Sequence, residues 1–334
     1  MPSPLSPRGS LRAGSRQAVS RRAVLGAAAG AVLLPGCGTQ EWAELGGTEL
    51  VLATGNPGGV FDAYGGALAR VLEQRLDGVR VLTRATDASV ENLRLVSAGD
   101  ADLGFSLGDT AADASRGDGA FDAPVDVVAL TRTYDSFVHV VVPAASPVRA
   151  LGDLRGRRVG LGGPASGTRV VAQRLLAAAG VPADAVTPTD ASLRDDAEAL
   201  AAGGLDAFFF VSGLPNATID DLAAGTPVRL LSLRDLVVPM VTAHGPEYVA
   251  GPIPASTYDL ADGVDTLSVK NYLVARRDLG DDAAYAVTRV LFEAQDAVQR
   301  LAPEIRQPTV AAGIFTNPLA LHPGALRYFR GLRD

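Results

Sequence analysis

The stretch ELVLATGNPGGVFDAYGGAL, residues 49–68, sets the reading of the whole chain. Glu49 to Ala53 is an apolar run of strand length, Thr54 to Gly59 is a turn of small residues, and from Val60 the apolar positions recur at helical spacing as far as Leu76. Strand, small-residue turn and helix together form a βα unit. The rhythm then repeats: strand Val79–Thr83, helix Ser89–Ala98, strand Asp102–Phe105 and a helix from about Asp109. Successive βα units build a parallel sheet with right-handed crossovers.

Near Val127–Leu130 and Phe137–Val142 two apolar runs follow one another with no helix between them, so the chain is expected to cross to a second lobe there. A second series follows: strand Arg157–Leu161, helices Thr168–Ala179 and Ser192–Ala201, strand Ala207–Val211, helix Asn216–Ala223 and strand Val228–Leu231. Beyond Pro246, Pro252 and Pro254, Thr266–Ala275 reads as a return strand and Asp281–Arg300 as a helix. Lobe 1 is therefore expected to hold residues 48–138 and 260–334, with lobe 2, residues 139–259, inserted. A chain of 334 residues that is 47% hydrophobic can bury two moderate cores. The expected architecture is α/β: two doubly wound, mostly parallel sheets joined by a hinge, with a ligand cleft bordered by strand C-termini and helix N-termini.

Residues 1–36 read as an export signal. Arg8, Arg12, Arg16, Arg21 and Arg22 precede the apolar run Ala23–Leu34, which is too short to span a bilayer as a finished helix. Ser20 to Leu25 resembles the twin-arginine signal pattern, with Val24 where that pattern usually carries Phe. Leu34-Pro35-Gly36-Cys37 resembles a lipobox, with an atypical Pro35. Cys37 is the only cysteine, so it has no disulfide partner, and its place directly after the apolar run marks it for lipidation. Residues 37–47 then form a lipidated tether, and the protein is expected on the extracytoplasmic face of the membrane. The leader carries arginines and no acid, so its removal leaves a chain more acidic than the −7 of the whole, which argues against nucleic acid as a partner.

Four small-residue turns open into helices at the expected cleft edge: Thr54–Gly59, Thr86–Asn92, Gly162–Thr168 and Val211–Asn216. Each aims free N–H groups and a helix dipole at an anion, although capping alone explains any one of them. Arg84, Arg132 and Arg169 lie near strand ends or helix starts, where a guanidinium can pair with a carboxylate or with the protein itself. Tyr64 suits either the core or a ligand contact.

Several blocks, in order, resemble the signatures of the TAXI family of TRAP-transporter solute-binding proteins: Thr54-Gly55 through Tyr64-Gly65-Gly66-Ala67-Leu68, Ser89–Leu93, Gly99–Phe105, Gly167-Thr168-Arg169, Asp206–Phe209, Gly213–Asn216 and His322–Tyr328. The resemblance covers nearly all of the chain after the tether. It implies a periplasmic-binding-protein-like fold and a glutamate, 2-oxoglutarate or related carboxylate in the interlobe cleft. It also implies delivery to an ion-driven membrane permease, with no cofactor or metal and a monomeric receptor. Carried over, the candidate ligand residues are Thr54, Gly55, Tyr64, Ser89, Asn92, Asp109, Tyr134, Ser166, Gly167, Thr168, Arg169 and Gly213. Where the family often has Tyr-x-Glu, this chain has Tyr134-Asp135-Ser136.

Other readings are open on the residues alone. Gly104–Gly108 matches the nucleophile-elbow pattern Gly-x-Ser-x-Gly around Ser106, but only two strands precede it. Gly162–Thr168 lacks the Lys of a phosphate loop. His139, His244 and His322 are scattered without metal-ligand spacing. A lipid-anchored sensor that reports to a signalling partner would use the same fold and pocket.

Overall fold

The computed structural model describes residues 45, 47–303 and 305–332. The leader, Cys37 and nearly all of the expected tether lie outside them. The elements of the first series are β1 (Glu49–Ala53), α1 (Val60–Arg75), β2 (Arg80–Arg84), α2 (Ser89–Ala98), β3 (Leu103–Leu107), α3 (Gly108–Arg116) and a long β4 (Val127–Pro143). The second series holds β5 (Arg158–Gly160), α4 (Gly167–Ala178), β6 (Thr187–Thr189), α5 (Leu193–Ala201), β7 (Ala207–Ser212), α6 (Ala217–Gly225), β8 (Val228–Leu230), α7 (Val237–His244) and β9 (Tyr248–Ile253). The chain closes with β10 (Val264–Arg276), α8 (Asp281–Glu293), α9 (Gln295–Leu301), α10 (Val310–Gly313) and α11 (Pro323–Gly331).

The strands run in the order β2-β1-β3-β10-β4-β7-β5-β6, with β9 on β10 and β8 on β4. Pairings among β2, β1 and β3, and among β7, β5 and β6, are parallel; β10 and β4 are antiparallel to every strand they touch. Two parallel α/β lobes thus share two long antiparallel strands. The first part of β4 pairs with β10 beside β3, and its later part, Phe137–Val141, pairs with β7. The two apolar runs read in the sequence as separate strands are one strand, because its middle, Thr131 to Ser136, remains in the sheet.

That middle is bulged. Lys270 pairs with Asp135 and Tyr272 with Arg132, so Thr133 and Tyr134 together face Asn271. Asn271 fixes the irregularity: its Nδ2 donates to the Tyr134 carbonyl (2.8 Å) and to Ser136 Oγ (3.0 Å). A bulge bends the strand and re-aims its side chains.

Apolar side chains cover both faces of each lobe. One cluster packs Leu68 and Leu72 of α1 and Val287 and Leu291 of α8 on Leu52, Phe105 and Leu273; another packs Leu175 of α4 on Val140, Val159, Phe209 and Leu267. Each such side chain contributes about 1.5–3 kcal/mol when fully buried. Elements absent from the sequence reading are β6, α7, β9 and α10. β9 contains Pro252, which an edge strand tolerates, and it pairs with β10 alone. The expected helix Asp281–Arg300 breaks at Ala294 into α8 and α9.

Candidate functional site

Three helix N-termini surround a narrow cavity between the lobes. α1 supplies Gly59, Val60 and Phe61; α2 supplies Ala88 and Ser89; α4 supplies Gly167 and Thr168. Gly55 and Asn56 come from the turn before α1, Leu107 from the end of β3, Phe210 to Ser212 from the end of β7, and Tyr134 and Ser136 from the bulged stretch of β4. The first N–H groups of each helix have no acceptor within that helix; Glu91 N of α2 is taken by the Ala165 carbonyl (3.1 Å) and Arg169 N of α4 by Ser166 Oγ (3.0 Å), which leaves the N–H groups nearer each turn to face an anion. No residue on this wall carries a charge. Attraction for an anion therefore comes from peptide dipoles and hydroxyls.

Local chemistry explains this placement. Ser166 caps α4 by accepting from Arg169 N (3.0 Å), and its own hydroxyl donates to the Gly163 carbonyl (2.8 Å). The lobes meet where side chains are missing: a Cβ on Gly167 would stand 2.6 Å from Ser89 Oγ, and one on Gly163 would stand 2.5 Å from Asp87 Oδ1. Ala88 holds φ at 88°, a conformation that L-residues rarely adopt and that recurs at ligand-binding sites. Its N–H donates to Thr86 Oγ1 (3.0 Å).

Of the residues singled out in the sequence, Gly55, Ser89, Tyr134, Gly167 and Thr168 share this wall. Ser89 Oγ accepts from Leu107 N (3.0 Å) and Thr168 Oγ1 accepts from Val211 N (3.2 Å). Thr54 and Asn92 stand one layer behind. Asn92 Nδ2 donates to the carbonyls of Thr54 (2.7 Å) and Phe105 (2.8 Å), while Thr54 Oγ1 donates to the Arg84 carbonyl (3.1 Å). Together they hold the β1–α1 turn on the sheet.

The remaining candidates lie elsewhere. Tyr64 is fully buried in the first-lobe core, packed on Phe105 and Tyr134, because its helix face points at the sheet. Arg169 turns away from the cavity to the carbonyls of Gly162 (2.6 Å) and Thr189 (3.1 Å) and to Asp190. Asp109 is buried against Arg174 (3.1 Å) and the Tyr248 hydroxyl. Gly213 lines a second, adjacent cavity.

One residue of the first wall carries a polar atom with no partner among the described residues. Tyr134 is 5% exposed, and its hydroxyl is a buried group without a hydrogen bond among the described residues. Burial holds this phenol well above its ordinary pKa, so it stays protonated and able to donate.

Wall residues outside the candidate ligand residues are Asn56, Gly59 to Phe61, Ala88, Leu107, Ser136 and Phe210 to Ser212; of these, Asn56, Gly59, Ala88, Val211 and Ser212 belong to turns singled out in the sequence. Most sit at a strand C-terminus or a helix start, the positions where open α/β sheets bind ligands. Ser136, the departure from Tyr-x-Glu, sits on the wall and bonds Asn271.

The elbow-like Ser106 is fully buried, and its hydroxyl donates to the Leu107 carbonyl (2.9 Å). His139 bonds the Phe137 carbonyl and the Tyr258 hydroxyl, His322 caps α11, and His244 packs edge-on to Tyr248. These roles give Ser106 no basic partner among the described residues.

The fold is two-lobed α/β, of the periplasmic-binding-protein type. Residues 52–331 match the model of the NMT1-like family, and the chain belongs to that family. Solved structures share the fold. PhnD1 from Prochlorococcus marinus (MIT 9301), in complex with methylphosphonate, is 14% identical with a TM-score of 0.52, over 85% of this chain and 98% of that one. A binding protein component of an ABC phosphonate transporter from Pseudomonas aeruginosa is 12% identical with a TM-score of 0.52, over 77% and 78%. A protein from Bordetella bronchiseptica RB50 is 15% identical with a TM-score of 0.53, over 84% and 88%.

Proposed function

We propose that this protein is an exported solute-binding receptor that captures a small carboxylate between its lobes and delivers it to a membrane permease. The observation that carries the reading is the meeting of the α1, α2 and α4 N-termini on a neutral wall with an unpartnered tyrosine hydroxyl. Such a wall suits a singly charged head group, since free N–H groups, Ser89 and Thr168 provide donors without a fixed countercharge. The resemblance to TAXI proteins points to glutamate, 2-oxoglutarate or a related carboxylate as ligand. It also points to a TRAP-type permease as partner, to attachment through lipidated Cys37, and to lobes at residues 48–138 with 260–334 and at 139–259 moving about a hinge.

A thermal-shift panel on the purified protein tests the ligand class. Carboxylates are expected to raise the melting temperature, and methylphosphonate, sulfonates, sugars and cationic amino acids are expected to leave it unchanged. A shift with methylphosphonate or a sulfonate alone would replace the carboxylate by another oxyanion. An adjacent gene for a TRAP-type permease supports the proposed partner, whereas an ABC permease and ATPase would replace it. Metabolic labelling with palmitate, lost in Cys37→Ala, tests the anchor.

A further inference from the structure

Beside the narrow cavity lies a wider one, and the two share Val60 and Tyr134 on their walls. The narrow cavity has a volume of about 30 Å³, enough for a water or a small head group. The wider one has about 360 Å³, within the range of small-molecule sites. Their linings differ in kind. The narrow wall is built from turns and hydroxyls, whereas Phe137, Leu214, Pro254 and Ile305 give the wider one an apolar lining. Its charges are Asp135, already paired with Arg132 (2.6 Å), and the exposed Arg306, which has no acidic partner among the described residues.

Tyr134 belongs to both walls, and the β4 bulge that Asn271 fixes is what sets it there. Its hydroxyl is buried and lacks a hydrogen-bond partner among the described residues. We propose that the wider cavity is the body subsite of the same ligand site. The solute would then be a carboxylate carrying an apolar body, an aryl ring or a short acyl chain, with its head among the helix N-termini and its body between Leu214 and Ile305. This rests on the reading of the narrow cavity as the carboxylate site, and it narrows the ligand class beyond compact dicarboxylates.

Calorimetric titration of the purified protein with acetate, butyrate, hexanoate and 3-phenylpropionate tests the proposal. Affinity is expected to rise by up to about fourfold per added methylene, the ratio that burial of one CH₂ supplies, and to be highest for the two longest acids. Leu214→Asn, and independently Thr257→Trp, which adds bulk to the lining of the wider cavity, should flatten that rise towards the affinity of acetate and leave acetate binding unchanged. Circular dichroism checks that each variant folds. Binding of all four acids with equal affinity would overturn the body subsite and leave the carboxylate receptor standing. A rise that survives in both folded variants would also overturn the subsite. If none of the acids binds, and glutamate and 2-oxoglutarate do not bind either, the carboxylate reading itself fails and the subsite falls with it.

Discussion

Tyr134 carries an asymmetry that one substitution exposes. A buried hydroxyl without a partner costs about 1–3 kcal/mol of desolvation, and a ligand that meets it recovers part of that cost. Tyr134→Phe is therefore expected to leave the unliganded protein as stable or more stable in urea. The same change should weaken carboxylate binding by about fivefold, the worth of one net hydrogen bond. Lower stability with unchanged affinity would give the hydroxyl a purely structural role. Arg169 is expected to behave in the opposite way. Its guanidinium holds the Gly162 and Thr189 carbonyls at the mouth of the α4 turn, so Arg169→Ala should cost about 1–3 kcal/mol of stability and change affinity little. A large loss of affinity at unchanged stability would show that Arg169 reaches the solute.

Two buried groups, Asp196 of α5 and His139 of β4, change protonation in overlapping pH ranges with opposite effects on stability. Burial raises the carboxyl of Asp196, in the first turn of α5, to about 6; Thr189 Oγ1 of β6 donates to it at 2.8 Å. Gly160 of β5 lies so close that a Cβ there would stand 2.2 Å from the carboxylate. Burial lowers the imidazole of His139, on β4, to about 4. As pH falls from about 6 towards 3.8, folded Asp196 takes up a proton that the unfolded chain does not, so acidification stabilises through this group. Between 6.5 and about 4 the unfolded chain protonates His139 and the folded one does not, so acidification destabilises through that group. The two contributions oppose each other in this window. Compared with the wild type, Asp196→Asn should lose more Tm, and His139→Gln less, on acidification from pH 6 to 4. Scanning fluorimetry across that range measures both, and identical pH slopes in wild type and variants would remove the two groups from the account.

For the whole molecule, the telling contact is the buried ion cluster between the two series of elements. Arg174 of α4 lies 3.1 Å from Asp109 and also pairs with Asp113, both on α3, while the Tyr248 hydroxyl donates to Asp109. Asp109 and Asp113 are nearly inaccessible, so removing the cation leaves Asp109 without a countercharge among the described residues and Asp113 with Arg116 alone. Arg174→Ala is expected to cost about 3–5 kcal/mol in chemical denaturation. A loss below about 1 kcal/mol would mean that water enters and solvates the acids. The cluster also explains why Asp109, at a helix start after β3, reads in sequence as a ligand contact: position along the chain is right for the cleft, but the side chain is taken by α4 and β9.

By itself the sequence determined the βα rhythm, the parallel strands and the turns at their C-terminal ends, because side-chain periodicity and small residues at helix starts are local properties. Helix α2 and strand β1 have the expected limits, and Gly55, Ser89, Gly167 and Thr168 come from turns legible in the chain. What required tertiary structure were contacts between distant residues. The continuity of β4 depends on β10 pairing with it along both lobes, and the bulge that sets Tyr134 depends on Asn271, 137 residues away. β9 and α7 carry prolines that obscure their type until neighbours supply the packing. The fate of each polar side chain at the cleft edge was decided in the same way. Arg169 and Asp109 found partners within the protein, whereas the Tyr134 hydroxyl found none among the described residues.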